Sequence, residues 1–146
     1  MMEDIEVPYE TFEHGADMGI RGTGKDILQA FENGARAMFS IMIENFSAVN
    51  AIKKINISCE SFDIESLFTA WLNTLLAEAD VNNLFLKDFK VTEIKDFVLK
   101  GSAYGEPFDP LRHKKGVEVK GATFTELKVF KKIDNEAWIA QCVVDV

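Results

Sequence analysis

The sequence predicts an α+β domain of two layers, with two main helices packed on a mainly antiparallel or mixed sheet. Three observations carry this expectation. Two segments, 26–43 and 63–79, repeat apolar residues at helical spacing. From Leu84 onward the pattern changes to strands separated by short polar turns. The length, 146 residues of which 47% are hydrophobic, suits a single domain over residues 1–146. A chain of this size hides roughly two-thirds of its unfolded surface on folding, enough for a core without staples.

The elements follow in order. "VPYETFEH" (7–14) reads as a first strand, rich in aromatic and β-branched residues. Asp26 is a suitable N-cap for the first helix, and Gln29 three positions on forms a capping-box-like pair with it. Ile27, Phe31, Gly34, Ala35, Met38, Phe39 and Met42 then recur at helical spacing to about Ile43. Residues 51–59, "AIKKINISC", alternate as a strand does. Asp63 caps a second helix whose Ile64, Leu67, Phe68, Trp71, Leu72, Leu75, Leu76 and Ala79 form a stripe wide enough to be buried on a sheet. "LFLKDFKV" and "FVLKGSAYG" are two strands with a short turn between them. "VEVKGATFTELKVF" and "AWIAQCVVDV" are two more, joined by a tight hairpin at Asp134-Asn135.

"GIRGTGKD" (19–26) fits the phosphate-cradling pattern G-x-x-x-x-G-K-[ST] at every position except the last. Asp26 stands where a hydroxyl should hold magnesium, and it would aim a carboxylate at the helix end that should receive phosphate. The preceding "FEHGADM" is too polar, and too broken by Gly15, to read as a buried parallel strand. "CVVDV" offers Asp145 as a passable magnesium partner, but the repeated βα units of a nucleotide-binding sheet are missing. A nucleotide site is therefore disfavoured, and Gly22 and Gly24 are expected to supply turn geometry before the capped helix.

Composition narrows the function classes. The formal charge of −8 disfavours strong direct nucleic-acid binding, and permits a divalent cation or a basic protein partner. No stretch reaches the ~20 apolar residues of a membrane span. The opening "MMEDIEVPYE" is acidic and lacks the apolar core of a secretory signal. Cys59 and Cys142 sit in apolar runs and read as small core residues of a reducing, cytoplasmic environment rather than as zinc ligands.

Three segments hold polar residues that packing does not explain. In "FEHGADMGI", His14 and Asp17 interrupt a strand-like run. In "YGEPFDPLRHKKGVEVKGATFTEL", two prolines fix turns around Glu106, Asp109, Arg112 and His113, and Lys120 follows inside an expected strand. In "CVVDV", Asp145 prolongs an apolar strand face with a charge.

With these segments in place the sequence resembles the archease family. Members open with a strand, an H-T-A-D segment and a "G…A…A" helix, matched here by "HGAD" and "AFENGARAMFSIM". A W-L-N-x-L-L helix, a G-E-P-x-D-x-x-R-H loop and a V-K-A-x-T-Y-H strand follow, matched by "AWLNTLL", "GEPFDPLRH" and "VKGATFT". The family's hydrophobic D-V ending is "VVDV" here. The match is collinear over nearly the whole chain. Two positions depart from it: Gly15 replaces the threonine of H-T-A-D, and Thr125 replaces the histidine after the T-Y pair.

The resemblance implies a protein that is not itself an enzyme. It would activate the GTP-dependent tRNA-splicing ligase, which joins a 3′-phosphate end to a 5′-hydroxyl end, by promoting guanylylation of the ligase's histidine and repeated turnover. It implies a divalent cation, calcium foremost with magnesium or manganese open, on Asp17, Asp145 and a C-terminal oxygen of Val146. Such hard oxygen ligands suit these cations. It also implies partner-facing or functional roles for His14, Lys120, Glu106, Asp109, Arg112 and His113. Blander readings stand beside these. Asp17 would satisfy backbone donors, Asp145 and Lys120 would be solvated, His14 would be structural, and Glu106 to His113 would merely fix a loop. The alternative activity is a small metal-dependent phosphoester hydrolase using Asp17 and Asp145 with His14.

Overall fold

The computed structural model describes residues 7–146; the acidic Met1–Glu6 lie outside the described residues. The order is β1 (Tyr9–His14), β2 (Asp17–Gly24), α1 (Ile27–Met42), β3 (Lys53–Glu60), α2 (Ile64–Val81), β4 (Phe85–Lys95), β5 (Val98–Glu106), β6 (Gly121–Ala122), β7 (Lys128–Lys131) and β8 (Trp138–Asp145). A short 3₁₀ turn, Phe46–Ala48, follows α1. The strands form two sheets. In the first, β2 lies between β1 and β8, and both β6 and β7 pair with β8; in the second, β5 lies between β3 and β4. Every strand pairing is antiparallel. The α+β class holds, with helices on antiparallel sheets, and the expected single sheet is divided in two. Both helices touch strands of both sheets, so Phe31, Phe68, Trp71, Ile20 and Leu99 share one core. No helix of the described residues is long and apolar enough to cross a membrane.

Both helix starts form as the sequence predicts. The Asp26 carboxylate accepts from Gln29 N at 2.8 Å, and the Gln29 side chain accepts in return from Lys25 N at 2.8 Å. Asp63 accepts from Ser66 N at 2.8 Å. The helices lock together where Trp71 Nε1 donates to Phe31 O at 3.0 Å and where Phe68 fills the space a side chain on Gly34 would need.

The structure departs from the sequence reading in two places. The segment read as a broken run and a glycine turn is β2, a central strand. Gly15, at φ +58°, makes the tight turn from β1. Gly22 and Gly24 are not turn residues. A Cβ on Gly22 would fall 2.1 Å from Gly34 N, and one on Gly24 would fall 2.5 Å from Ala30 N, so α1 rests directly on the strand's backbone. The strand looks polar because its other face carries Asp17, Arg21 and Thr23. The second departure is in "VEVKGATFTELKVF", which is two short strands and not one. Between them Thr123 N donates to Val143 O at 3.0 Å and Val143 N donates to Thr125 O at 2.9 Å, while Glu126 takes φ +54°. β7 and β8 are joined around Asp134-Asn135 as expected, but by a longer loop than a tight turn, closed by Lys132 N to Ala137 O at 2.7 Å with Glu136 at φ +59°. The β4–β5 turn places Asp96 and Phe97 at φ +54° and +58°, the twist that suits a two-residue hairpin.

Candidate functional site

The first candidate site lies at one end of the five-stranded sheet. His14 is the last residue of β1 and pairs with Asp17, the first of β2. Met18 pairs with Val144, so continuing that ladder by one residue sets Asp17 beside Asp145. Directly opposed residues on neighbouring strands share a face, with Cβ atoms ~5 Å apart. The Asp17 carboxylate reaches the end of the chain, accepting from Val146 N at 3.4 Å. Asp17 is half-buried, while His14 and Asp145 are exposed. Among the described residues neither aspartate has a cation for an ion-pair partner.

This donor set fits a hard divalent cation. Two like charges facing each other across strands repel unless something between them is positive, and carboxylate and main-chain oxygens are what calcium or magnesium takes. The corner is not a preformed cage. Among the described residues no three His, Cys, Asp or Glu side chains gather closely enough to hold a metal, so His14 does not complete a three-side-chain site with the two aspartates. A cation here would need main-chain oxygen from Val146 and water.

Lys120 is outside the strand in which the sequence put it, one residue before β6. Its N–H donates to Asp145 O at 2.8 Å, which fixes its backbone at the same corner. Its exposed side chain borders a groove of ≈ 610 Å³ with Asn73, Asp80 and Glu118.

Glu106, Asp109, Arg112 and His113 come together elsewhere, as a junction that ties the loop after β5 to the end of α1. Glu106 is only 4% exposed. It accepts from Arg112 Nη2 at 2.6 Å, from His113 Nε2 at 2.9 Å and from Asn50 N at 2.7 Å. Arg112 and the other donors hold its carboxyl down to about 2, against the opposing effect of burial. Asp109 N donates to His113 Nδ1 at 2.8 Å. That leaves Nε2 to carry the ring proton toward Glu106. Asp109 also accepts from Leu111 N at 2.9 Å and Arg112 Nε at 3.3 Å. Asn45 clamps the loop from α1's side, donating to Arg112 O at 2.6 Å and accepting from Lys114 N at 2.8 Å. These four residues are thus consumed by internal contacts, and Leu111 at the loop tip is 94% exposed.

Two other features carry no chemistry of their own. Burial pushes the Cys59 thiol up to about 11 and that of Cys142 to about 12, so neither is a ready thiolate. The start of α1 borders a cleft of ≈ 620 Å³ with Lys25, Lys131 and Trp138, but Asp26 already occupies the helix end where a phosphate would sit.

Residues 9–146 match the Archease protein family. The chain belongs to the archease family. Protein archease of Pyrococcus furiosus is 40% identical over 141 residues, covering 94% of this chain and 98% of the relative. That of Sulfurisphaera tokodaii is 35% identical over 139 residues, with coverage of 94% and 98%. The solution structure of Methanobacterium thermoautotrophicum protein 1598 superposes with a TM-score of 0.79 at 34% identity, over 95% of this chain and 99% of that one. An archease crystal structure from Thermotoga maritima shares the fold at a TM-score of 0.60 and 17% identity.

Several residues around these archease sites were not singled out by sequence reasoning. Asn73 lies within the quoted W-L-N motif, and its amide both donates to Ala122 O at 3.2 Å and accepts from Ala122 N at 2.8 Å. Arg21 crosses three strands of the sheet, donating to Glu10 at 2.6 Å and to Gln141 at 2.9 Å while lying over Phe12. The signal for Asn73 was an amide interrupting an apolar helix. For Arg21 there was none until β2 was known to be a strand.

Proposed function

We propose that this archease activates a GTP-dependent, tRNA-splicing-type RNA ligase through a metal-dependent protein contact, promoting guanylylation of the ligase and its repeated turnover. Family membership supports the reading. The observation that carries it is the exposed corner where Asp17 meets Val146 and faces Asp145. Asp17, Asp145 and a main-chain oxygen of Val146 would hold the cation, with calcium, magnesium or manganese as candidates. A bound cation there would supply a positive charge with open positions for a partner's phosphate or carboxylate oxygens. The chain's own residues do the rest. β2 and β8, paired as far as Met18 and Val144, would carry the two aspartates one residue further side by side, and the Lys120 amide bonds the Asp145 main chain. In this reading the protein acts on its partner, and the exposed corner is where that partner would meet the cation.

The test mixes this protein with its cognate ligase at limiting ligase concentration, with each metal in turn. Ligated product per ligase should rise well above one, and Asp17→Ala or Asp145→Ala should remove the gain. Unchanged turnover, or full activity in both variants, would sink the reading. Metal-stimulated hydrolysis of simple phosphate esters by the isolated protein would favour the hydrolase alternative.

A further inference from the structure

We infer that the outer face of the three-stranded sheet β3-β5-β4 is a docking surface for single-stranded nucleic acid, a site separate from the Asp17 corner and independent of the ligase reading. The chain-wide charge of −8 conceals a segregation. Six of the sixteen Lys and Arg residues lie on these three strands. Of their four acids, Glu60, Asp88, Glu93 and Glu106, two are engaged. Glu106 is buried with Arg112 and His113, and Asp88 is paired with Arg36 at 3.1 Å.

The ladder places the rest. Ile55, Ala103 and Phe89 share a row and face the core. The next row, Lys54–Tyr104–Asp88, faces outward, followed by Asn56–Ser102–Lys90 and then Ser58–Lys100–Glu93. Lys54, Lys90 and Lys100 are exposed and make no ion pair among the described residues. The unpaired acids Glu60 and Glu93 lie toward the Val98 end, so the half around Tyr104 has lysines and no free carboxylate. Ser102 Oγ donates to Tyr104 Oη at 3.5 Å. Same-face residues two apart on a strand stand ~6.7 Å from one another, so the phenol can reach Ser102 only by lying along the strand. Tyr104 is partly exposed, so a ring laid along the strand keeps part of its surface available to a ligand. Further along the same strands a shallow groove of ≈ 350 Å³ runs between Asn56, Ser58, Thr92 and Lys100.

A basic track with a flat aromatic ring and flanking amide and hydroxyl donors suits phosphates and an unpaired base. An acidic protein fits less well, because lysine is depleted in the core of protein interfaces. A duplex would leave the ring without a base to stack on.

The experiment is fluorescence anisotropy with a short labelled oligouridylate, titrated with the full chain over a salt series. Binding is expected in the range of roughly 10⁻⁶–10⁻⁴ M, weakening as salt rises. Lys54→Gln/Lys90→Gln/Lys100→Gln should flatten the log–log salt slope by about 2, since each lost contact removes ~0.7 on single strands. Tyr104→Ala should weaken binding roughly 5-fold or more and leave the slope alone. The control triple variant Lys25→Gln/Lys115→Gln/Lys128→Gln, with the same change in net charge, should bind as wild type. Circular dichroism confirms that each variant is folded. No binding at low salt overturns the inference, as does an equal loss in the two triple variants. So does a duplex or poly-aspartate that binds as tightly as the oligouridylate with no effect of Tyr104→Ala.

Discussion

Replacing Glu106 with glutamine tests whether the loop junction is held by charge. The buried carboxylate accepts from three donors, Arg112 on one oxygen and His113 and Asn50 N on the other. A glutamine has one acceptor oxygen, so its NH₂ must face one of these groups. The less costly orientation keeps the oxygen on His113 and Asn50 and turns the NH₂ to Arg112, whose side chain is 40% exposed and can swing into water. The loss is then one charge-assisted hydrogen bond, about 1.5–3 kcal/mol, and not the ~3–5 kcal/mol of a wholly buried pair broken on one side. The acid limb gives a second reading of the same energy. Arg112 above all, then Asn50 and His113, lower the folded carboxyl to about 2 from an ordinary 4.5. A depressed carboxyl stabilises the fold fully above its unfolded value, and the contribution is lost as pH falls from about 4.5 toward 2. Each unit is worth ~1.4 kcal/mol, which sets a ceiling of about 3 kcal/mol; screening at the half-open Arg112 brings this to about 2 kcal/mol. Urea unfolding followed by tryptophan fluorescence should show wild type ahead of Glu106→Gln near neutral pH, and the two converging toward pH 2. Parallel curves with a constant offset would refute the charge account and leave only shape.

Four further outcomes are expected. Gly22→Ala should lower stability by about 2–3 kcal/mol, because its Cβ would meet the α1 backbone at 2.1 Å; calorimetry should read a fall of roughly 5–10 °C. By contrast Gly15→Ala, at φ +58° but with open space around it, should cost only about 1 kcal/mol. Calcium at a hundredfold excess over its dissociation constant should stabilise the wild type by about 2.7 kcal/mol, and neither Asp17→Asn nor Asp145→Asn should retain that gain in a thermal melt. Asp26→Ala should cost about 1 kcal/mol through loss of the cap on Gln29 N, read from urea midpoints.

The helices were legible because helical periodicity is local. Asp26, Asp63 and the Trp71 stripe announce themselves within a few residues. β2 was not, because what makes it a central strand, β8 at its side and α1 on its glycines, comes from tertiary contact. A strand that has glycines against a helix and charges on its other face shows no alternation of apolar side chains. The division of "VEVKGATFTELKVF" escaped for a related reason: the interruption is set by Val143, which bonds Thr123 and Thr125 from the neighbouring strand. At the site, residue types pointed to Asp17 and Asp145, but only the β2–β8 register brings them together. The Glu106–His113 group stood out for its charge, and that charge proves to be turned inward, onto Asn50 and the loop itself.

Asn73 has a consequence for how the molecule behaves in a crowded solution. β6 is a two-residue strand at the margin of its sheet, and such a margin offers an open template to any other extended chain. The Asn73 side chain engages both the N–H and the C=O of Ala122, the same two groups a further strand would take. A helix thereby supplies one peptide-like unit as a stopper and closes the sheet without adding a strand. Removing that amide would cost little in packing but would expose a sticky rim next to Asp145, and its first symptom would be self-association at high concentration and not loss of fold.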